Sequence, residues 1–266
     1  MNRNWIRTSL AGVLSAVLLT APAAAGQVEV NGTILNSNEG WVENGVSYVT
    51  LKALSREGGY DLSWDGQTAW LSGAGAELAA QPGKLYVEVN GRALYLPNGV
   101  RTVEGRTALP LRVLENALGA VVAWDSQSAT ASLNTRAAQA QSAGYQEEDL
   151  YWLARVISAE SRGESLVGQI AVGNVVLNRV KSDQYPNTIR EVVFDRKDGV
   201  QFEPVENGTI YDEPTPSSVL AAKLALEGAD VVGDCLYFYA PALSKGTWIV
   251  NNCTYYTTIG CHKFYL

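Results

Sequence analysis

The pattern of apolar and polar positions divides this chain into a first part rich in strands and a second part rich in helices. From about residue 28 to 133, short runs of alternating apolar and polar residues are separated by Asn-Gly and other glycine-containing turns, a pattern typical of strands and hairpins. From residue 147 onward, apolar residues recur at helical spacing, first at Leu150, Leu153, Ala154 and Ile157. The sequence therefore predicts an α+β protein.

The first part contains an internal repeat. Residues 28–32 return as 87–91, residues 50–54 match 110–114, and Trp64 returns as Trp124, sixty positions later. Each unit is predicted to contain strands joined by an Asn-Gly turn, a short helix near residues 51–56 or 111–118, and two further strands. We therefore predict a small α+β module, built twice, over residues 26–134.

The tryptophans of this part have two interpretations. Trp41, Trp64, Trp70 and Trp124 could stack on sugars, but tryptophans within alternating strands more often belong to a core. The sequence therefore places them in the core of the module.

The second part follows an Ala-, Gln- and Ser-rich linker at residues 135–144 and occupies residues 145–266. Its patterns predict helices, a loop or short extended piece at 199–205, and strands near 236–239, 255–259 and 262–265. The later helices are predicted over 166–180, 187–194 and 217–229. The first of these is apolar almost all round, so its Asn174 and Asn178 must find buried partners.

Glu160 is the most informative residue of this part. It continues the apolar stripe of the first helix and lies in the last turn before Gly163, near the negative end of the helix dipole. Burial and the dipole both favour the neutral carboxyl, so the pKa of Glu160 is predicted to be raised. A general acid for cleavage of a glycosidic bond needs such a carboxyl. The alternative is a structural glutamate held by Arg155 or Arg162.

The N-terminus predicts export. Arg3 and Arg7 precede an apolar stretch at residues 10–19 and a run of small residues, which together form a secretory signal over residues 1–25. The stretch is too short for a good membrane span, so no span is expected after signal removal. Loss of Arg3 and Arg7 changes the formal charge from −7 to −9, which argues against nucleic acid as a partner. We expect an exported protein.

The cysteines and the single histidine limit the chemistry available. Cys235, Cys253 and Cys261 predict one disulfide and one remaining thiol in an oxidising compartment. His262 is the only histidine, and no cysteine pair has close zinc-ligand spacing. We therefore predict neither a metal site nor a cofactor.

Two family resemblances follow from ordered motifs. The units Leu-Lys-Ala-Leu and Leu-Arg-Val-Leu, each followed by Gly and Trp-Asp, resemble the copper amine oxidase N-terminal-like domain, whose name implies no copper here. For this module we expect a wall-binding or spacer role. The second part resembles the SleB/CwlJ-type cell wall hydrolases across nearly all of residues 148–265. The motifs that carry this resemblance are Glu160-x-Arg162-Gly163-Glu164, Asn178-Arg179-Val180, Gln201-Phe202-x-Pro204, Leu236-Tyr237-Phe238-Tyr239 and Ile259-Gly260-x-His262-x-Phe264.

The second resemblance implies a lysozyme-like or lytic-transglycosylase-like domain that cleaves the MurNAc–GlcNAc backbone of peptidoglycan, with spore-cortex-lytic enzymes of germination among its members. The first glutamate of the family's Glu-x-Arg-Gly-Glu motif is the catalytic acid, which is Glu160 here. A lytic transglycosylase, which leaves 1,6-anhydro-muramic ends, needs this one carboxyl only. The partner implied is the peptidoglycan glycan strand, and the location implied is outside the cell, at the cell wall or spore envelope. For the substrate groove we predict Gln201, Phe202, Tyr237, Tyr239 and His262, and more weakly Trp248 and Tyr256.

Two other functions remain open at this point. A hydrolysing muramidase or glucosaminidase would need a second carboxylate, for which Glu203 is a better candidate than Glu164. A wall-binding protein without catalysis is the other possibility, and the intact motif around Glu160 argues against it. The resemblance also places Cys253 and Cys261 in its terminal motif, where we suspect a bridge between neighbouring strands, with Cys235 as the competing partner.

Overall fold

The computed structural model describes residues 26–197 and 199–266, and its α+β class confirms the prediction. The secretory signal predicted over residues 1–25 lies outside the described residues. The first part begins with β1 (Gln27–Val30), β2 (Thr33–Ile34), β3 (Gly40–Glu43), β4 (Val46–Thr50), α1 (Leu51–Gly58), β5 (Asp61–Trp64) and β6 (Ala69–Gly73). It continues with β7 (Ala76–Ala80), β8 (Tyr86–Val89), β9 (Arg92–Tyr95), β10 (Arg101–Val103), β11 (Arg106–Pro110), α2 (Leu111–Leu118), β12 (Val121–Asp125) and β13 (Thr130–Asn134).

The duplication appears in the structure as a local two-fold arrangement. Strands β4 and β11 are equivalent in the repeat, and they pair antiparallel with Val49 opposite Leu109. On either side of that pair, Thr50 faces Ala108 and Tyr48 faces Pro110, so the register is symmetric. Each strand leads directly into its helix, α1 or α2, which packs on the shared core. The two repeats therefore fold as one unit around the β4–β11 pair.

The core placement predicted for the tryptophans is wrong for Trp64, Trp70 and Trp124, which are 55%, 39% and 55% exposed. Trp70 lies on the exposed face of β6, an inner strand with alternating burial. For Trp64 and Trp124 the reason is sheet order. Strand β5, which carries Trp64, lies at the edge of the sheet β5-β6-β7-β8-β9, and β12, which carries Trp124, lies at the edge of the sheet β12-β13-β1-β2. Alternation along a strand predicts one buried face, but it does not show which strands lie at an edge with little packed against them.

The second part contains α3 (Glu147–Ser161), α4 (Leu166–Lys181), α5 (Ile189–Val193), α6 (Glu203–Asn207), a 3₁₀ turn (Thr209–Tyr211), α7 (Pro216–Leu226), β14 (Tyr237–Tyr239), α8 (Thr247–Asn252), β15 (Tyr255–Ile259) and β16 (His262–Tyr265). The helices α3, α4 and α7 pack against one another around a common apolar core. The last three strands form a sheet in the order β14-β16-β15. Among the described residues, no helix combines the length and apolar character needed to cross a membrane.

Two elements of this part differ from the sequence prediction. The sequence predicts a loop or extended piece at residues 199–205, but α6 begins at Glu203. Pro204 is compatible with a first helical turn because its fixed backbone angle suits that position, and Gly208 ends the helix in the left-handed conformation. The short helix α8 is not predicted by the sequence pattern, since its six residues bury no side chain and carry no apolar stripe.

Two asparagines tie α4 to the chain that follows α7. Asn174 donates from Nδ2 to the carbonyl of Ala229 at 2.6 Å and accepts the amide N–H of Val231 at 3.0 Å. One turn later, Asn178 donates to the carbonyls of Gly233 and Cys235. These bonds satisfy the buried amides as predicted, and they fix the segment that leads to β14.

Replacing Asn174 by alanine is expected to lower the free energy of unfolding by about 2–4 kcal/mol. Asn174 is 5% exposed, so its loss leaves both backbone partners unsatisfied where water has little access. Urea denaturation of residues 26–266 measures the change. The matched control is Asn251→Ala in α8, where the side chain is exposed. If Asn174→Ala lowers the free energy of unfolding no more than the control does, the hydrogen bonds of Asn174 do not stabilise the fold as described.

The two parts contact each other through a buried ion pair. Arg92 in β9 donates from Nε and Nη2 to the two carboxylate oxygens of Glu227 at 2.9 and 2.6 Å, and both side chains are 8% exposed. Lys223 donates to the carbonyl of Gly91 at 2.8 Å. Residues 135–144, predicted as a linker, contain no helix or strand, but Thr135 bonds to Asn31. Side-chain and backbone bonds therefore fix the module against the second part.

Candidate active site

Glu160 lies in the last turn of α3, next to its final residue Ser161. The stripe predicted for this helix is buried as expected, with Leu153 and Ile157 fully enclosed, and the Glu160 side chain is half-buried beside it. The helix then ends in a short corner, and Ser165 caps α4 by accepting the N–H of Gly168. The local sequence therefore holds Glu160 at a helix end against the apolar core.

The surroundings of Glu160 favour its neutral form. Burial is the largest effect and raises the pKa of Glu160 to about 7, with the nearby Glu203 carboxylate acting in the same direction. The Arg179 guanidinium acts in the opposite direction and lowers this pKa by a smaller amount. At neutral pH a large fraction of Glu160 is therefore protonated and able to donate.

Arg155 and Arg162, the two arginines that could have neutralised Glu160, contact other groups. Arg155 lies 3.4 Å from the carboxylate of Glu213 and stacks over the ring of Tyr151. Arg162 donates from Nε to the carbonyl of Ser158 at 3.1 Å. The interpretation of Glu160 as a structural glutamate held by Arg155 or Arg162 is therefore not supported by these contacts.

Replacing Glu160 by glutamine is expected to stabilise the protein at pH 8 and to leave its stability unchanged at pH 4. The pKa is about 7 in the folded protein and about 4.3 in an unfolded chain. As pH rises between these values the unfolded state loses its proton first, so the folded state is penalised increasingly. The glutamine variant lacks this penalty and should gain about 1–3 kcal/mol above pH 7.

Urea denaturation at pH 4 and pH 8 measures this gain, with Glu206→Gln on exposed α6 as the matched control. A gain that is equal at both pH values, or absent at pH 8, would show that Glu160 titrates as an ordinary carboxyl.

Arg179 connects Glu160 to the predicted groove. It projects from α4 and donates from Nε to the carbonyl of Leu236 at 2.8 Å and from Nη1 to Oε1 of Gln201 at 3.3 Å. Its guanidinium carbon lies 4.9 Å from the ring centre of Tyr185 and 5.8 Å from that of Tyr237. One buried cation therefore brings together groups from α4, β14 and the loop before α6.

Arg179 is not among the site residues predicted from the sequence, although its motif belongs to the resemblance. A usable signal exists, because a charged residue in a helix that is apolar all round must find buried partners. Tyr185 was missed as well. Burial and a hydrogen bond with Tyr237 raise the pKa of the Tyr185 hydroxyl above its usual value.

The aromatic residues of β14 alternate between two faces. Tyr237 lies beside Trp248, with ring centres 5.6 Å apart, and Trp248 is 59% exposed. Tyr239 packs beside Tyr265 on the neighbouring strand β16. Phe238 faces the opposite way and contacts His262 and Phe264. Tyr237 and Trp248 thus offer an aromatic surface on the same side as Arg179.

Two predicted groove residues lie in the core instead. Phe202 is 2% exposed and His262 is 7% exposed, and both pack against Phe238. The sequence predicts that Phe202 and His262 contact the substrate. Their burial contradicts that prediction. Phe202 also lies under the Arg179 guanidinium, at 5.3 Å, so it supports the neighbouring Gln201. The Gln201-Phe202 motif is too short for the spacing of apolar residues to show whether Phe202 is buried or lines the groove.

The two other acidic candidates lie in different settings. Glu164 accepts the backbone N–H of Cys261 and lies 3.7 Å from Nδ1 of His262, so it joins the start of α4 to the β15–β16 turn. Glu203 is exposed at the start of α6 and is close enough to Glu160 to raise its pKa. Of these two, only Glu203 is positioned to act with Glu160.

The cysteines do not form the expected disulfide. Cys235, Cys253 and Cys261 are all free, with Cys235 buried and Cys261 exposed. Cys253 precedes β15 and Cys261 follows it, so the whole five-residue strand separates them. At about 3.3 Å per residue this spacing exceeds the reach of a disulfide. Residues 26–197 and 199–266 contain no cluster of His, Cys, Asp and Glu suited to a metal ion.

Comparison with known proteins gives matches to both parts. Residues 163–265 match the Cell Wall Hydrolase family, and residues 29–133 match the Copper amine oxidase N-terminal domain. The second part is a cell wall hydrolase domain. The match begins three residues after Glu160.

Relatives of this cell wall hydrolase domain include spore cortex-lytic enzymes. The spore cortex-lytic enzyme of Bacillus cereus is 38% identical over 106 residues, which cover 40% of each chain. That of Halalkalibacterium halodurans is 36% identical over 107 residues, covering 40% of this chain and 32% of the relative. The chain therefore spans less than half the length of these relatives. The solved catalytic domain of the germination-specific lytic transglycosylase SleB from Bacillus anthracis is 35% identical, covers 47% of this chain and all of that chain, and has a TM-score of 0.43.

Proposed function

We propose that this protein is an exported peptidoglycan-degrading enzyme that cleaves the MurNAc–GlcNAc backbone as a lytic transglycosylase, with Glu160 as its only acid and base. The observation that carries the proposal is the half-buried Glu160 carboxyl, whose pKa is raised to about 7 at one end of a cation-and-aromatic surface. A carboxyl with this pKa can both donate and accept a proton near neutral pH.

The reaction needs two proton transfers at one carboxyl. Protonated Glu160 donates to the glycosidic oxygen as its bond to C1 of the muramic residue breaks. The resulting carboxylate then takes the proton of the muramic 6-hydroxyl while O6 forms a bond to C1. The products are a free sugar hydroxyl and a 1,6-anhydro-muramic end, no water is consumed, and Glu160 regains its starting proton. Arg179 opposes excessive elevation of the Glu160 pKa, so the carboxylate state remains accessible.

The groups around Arg179 form the proposed substrate surface. Gln201 offers an amide, and Tyr237 and Trp248 offer aromatic faces of the kind that pack against sugar rings. Tyr239 lies on the same strand face and extends this surface. The role proposed for Phe202 and His262 is to hold this surface from below, since both are buried.

A second candidate is ordinary hydrolysis, which Glu203 favours. Retaining and inverting hydrolases place a second carboxylate about 5 to 10 Å from the acid, and Glu203 acts electrostatically on Glu160. In this case Glu203 would activate water, and the product would carry a reducing end. The single-acid reaction is preferred because Glu203 is exposed to water at the start of α6, whereas the Glu160 carboxyl lies half-buried.

The relatives' name, spore cortex-lytic enzyme, suggests spore cortex as the natural substrate. The resemblance to spore-cortex-lytic enzymes of germination extends the proposal to germination as the time of action. Digesting purified cortex and vegetative peptidoglycan with residues 26–266, followed by mass spectrometry, tests both the substrate and the reaction. The proposal expects 1,6-anhydro ends, one water lighter than hydrolysed ends, with faster release from cortex. Fragments with reducing ends would contradict the transglycosylase proposal and indicate hydrolysis with a second carboxylate. If neither wall released fragments, the proposal of a peptidoglycan-degrading enzyme would be overturned.

A further inference from the structure

Two grooves lie at equivalent places on the two repeats of the module. The Trp124 groove has a volume of about 600 Å³, and its walls include Leu111, Arg112, Val122 and Trp124. The Trp64 groove has a volume of about 170 Å³, and its walls include Leu51, Lys52, Leu62 and Trp64. Each of these residues has its counterpart sixty positions away. The repeat has therefore produced the same surface feature twice.

Each groove is completed by the other repeat. The β3–β4 turn at Gly45 forms one wall of the Trp124 groove. The β10–β11 turn at Gly105 forms the equivalent wall of the Trp64 groove. Opposite the tryptophan, each groove presents a small residue of the paired strand, Ala131 or Ala69. This exchange follows from the symmetric β4–β11 pairing, so both grooves depend on the intact two-fold arrangement.

The tryptophans leave the same large apolar face in water in both grooves. Trp64 and Trp124 are each 55% exposed. A tryptophan so exposed on an edge strand contributes little to the core, and exposed aromatic faces in grooves are characteristic of ligand-binding surfaces. Sugar rings have apolar faces that fit such a surface.

The charge of the grooves is opposite to that of the module. Residues 26–134 contain eleven acidic and seven basic residues, yet every charged residue that lines the two grooves is basic, namely Lys52, Arg106 and Arg112. Arg106 and Arg112 have acidic neighbours only at 3.8 and 3.7 Å, in exposed pairs that contribute little. The grooves therefore favour a ligand with carboxylates as well as apolar faces.

We propose that the Trp64 and Trp124 grooves are two equivalent binding sites for carboxylate-bearing glycan strands of peptidoglycan. Each tryptophan stacks on a sugar ring, while Lys52 or Arg112 pairs with a carboxylate of the muramic substituent. This proposal rests on the proposed function for its choice of ligand. The Arg92–Glu227 pair fixes the module against the catalytic part, so a strand held in a groove stays attached to the same molecule that cleaves it. Two sites that bind one polymer also reinforce each other.

The test measures binding without cleavage. Residues 26–266 carrying Glu160→Gln are titrated onto insoluble peptidoglycan from which teichoic acid has been removed, and the bound fraction is read by sedimentation. Trp64→Ala and Trp124→Ala are each expected to weaken binding about three- to tenfold, and the double variant by more. The matched control is Trp70→Ala, which removes an exposed tryptophan of the module that lies outside both grooves and should change binding less than twofold.

Further arms separate the ligand from its alternatives. Lys52→Gln with Arg112→Gln should weaken binding and reduce its dependence on salt. Unchanged binding in the double tryptophan variant, with folding verified by circular dichroism, would overturn the proposal. Binding only to walls that retain teichoic acid would also overturn it, because the ligand would then be a polyphosphate. Since no cleavage is needed, the result is independent of whether Glu160 proves catalytic.

Discussion

Glycan fragment release from peptidoglycan is expected to fall by about 10²–10⁴-fold when Glu160 is replaced by glutamine. The amide has nearly the same size and can occupy the same half-buried position, but it cannot donate a proton to the glycosidic oxygen. Substrate binding should persist, because the aromatic surface at Tyr237 and Trp248 is untouched. Fragment release is followed by chromatography, and binding by sedimentation with insoluble wall.

Two matched carboxylate variants sharpen this result. Glu206→Gln, on the same short helix as Glu203, removes an exposed carboxylate and should leave the rate unchanged. Glu203→Gln separates the two reactions: a small change, less than about tenfold, fits a single-acid transglycosylase, whereas a loss equal to that of Glu160→Gln fits a hydrolase. An active Glu160→Gln enzyme would show that Glu160 is not the acid.

Replacing Arg179 by methionine is expected to lower kcat/KM at least about tenfold and to shift the alkaline limb of the pH profile upward. The cation is lost from beside Glu160, where it lowers the pKa, so the carboxyl stays protonated to higher pH. Gln201 and the carbonyl of Leu236 also lose their donor, which disorders the substrate surface.

The direction of the pH shift is the critical readout, because a merely structural defect would lower the rate without moving the profile upward. Arg179→Lys keeps the charge but loses the planar two-point donor, so it should lower the rate with little shift of the profile. Arg196→Met, at an exposed position, serves as the control. A pH profile of the Arg179→Met variant that is unchanged or moved to lower pH would contradict the role given to Arg179.

The sequence predicts most of the architecture because local periodicity is strong in it. The stripe through Leu153 and Ile157 locates Glu160 at the edge of the core, and the apolar helix 166–180 predicts that Asn174 must be satisfied internally. The sixty-residue repeat predicts a duplicated module, which the symmetric pairing of Val49 with Leu109 bears out. In each case, the signal comes from residues close in sequence or from direct repetition.

Other features depend on long-range packing and were not predictable in the same way. The exposure of Trp64 and Trp124 follows from the order of strands in two sheets, which alternation along one strand does not determine. The burial of Phe202 follows from its contact with Phe238, thirty-six positions later in the chain. Arg179 gains its role only when β14 and the loop at Gln201 fold onto α4.

The most direct test of the central claim, that the fold keeps the Glu160 carboxyl protonated near neutral pH for donation, is its titration by carbon-13 NMR. Glutamate labelled at the carboxyl carbon is incorporated into residues 26–266, and the Glu160 resonance is assigned by its absence from the Glu160→Gln spectrum. The account predicts a midpoint of about 7, coinciding with the alkaline limb of the rate profile. A midpoint near the ordinary value of about 4.3 would contradict it.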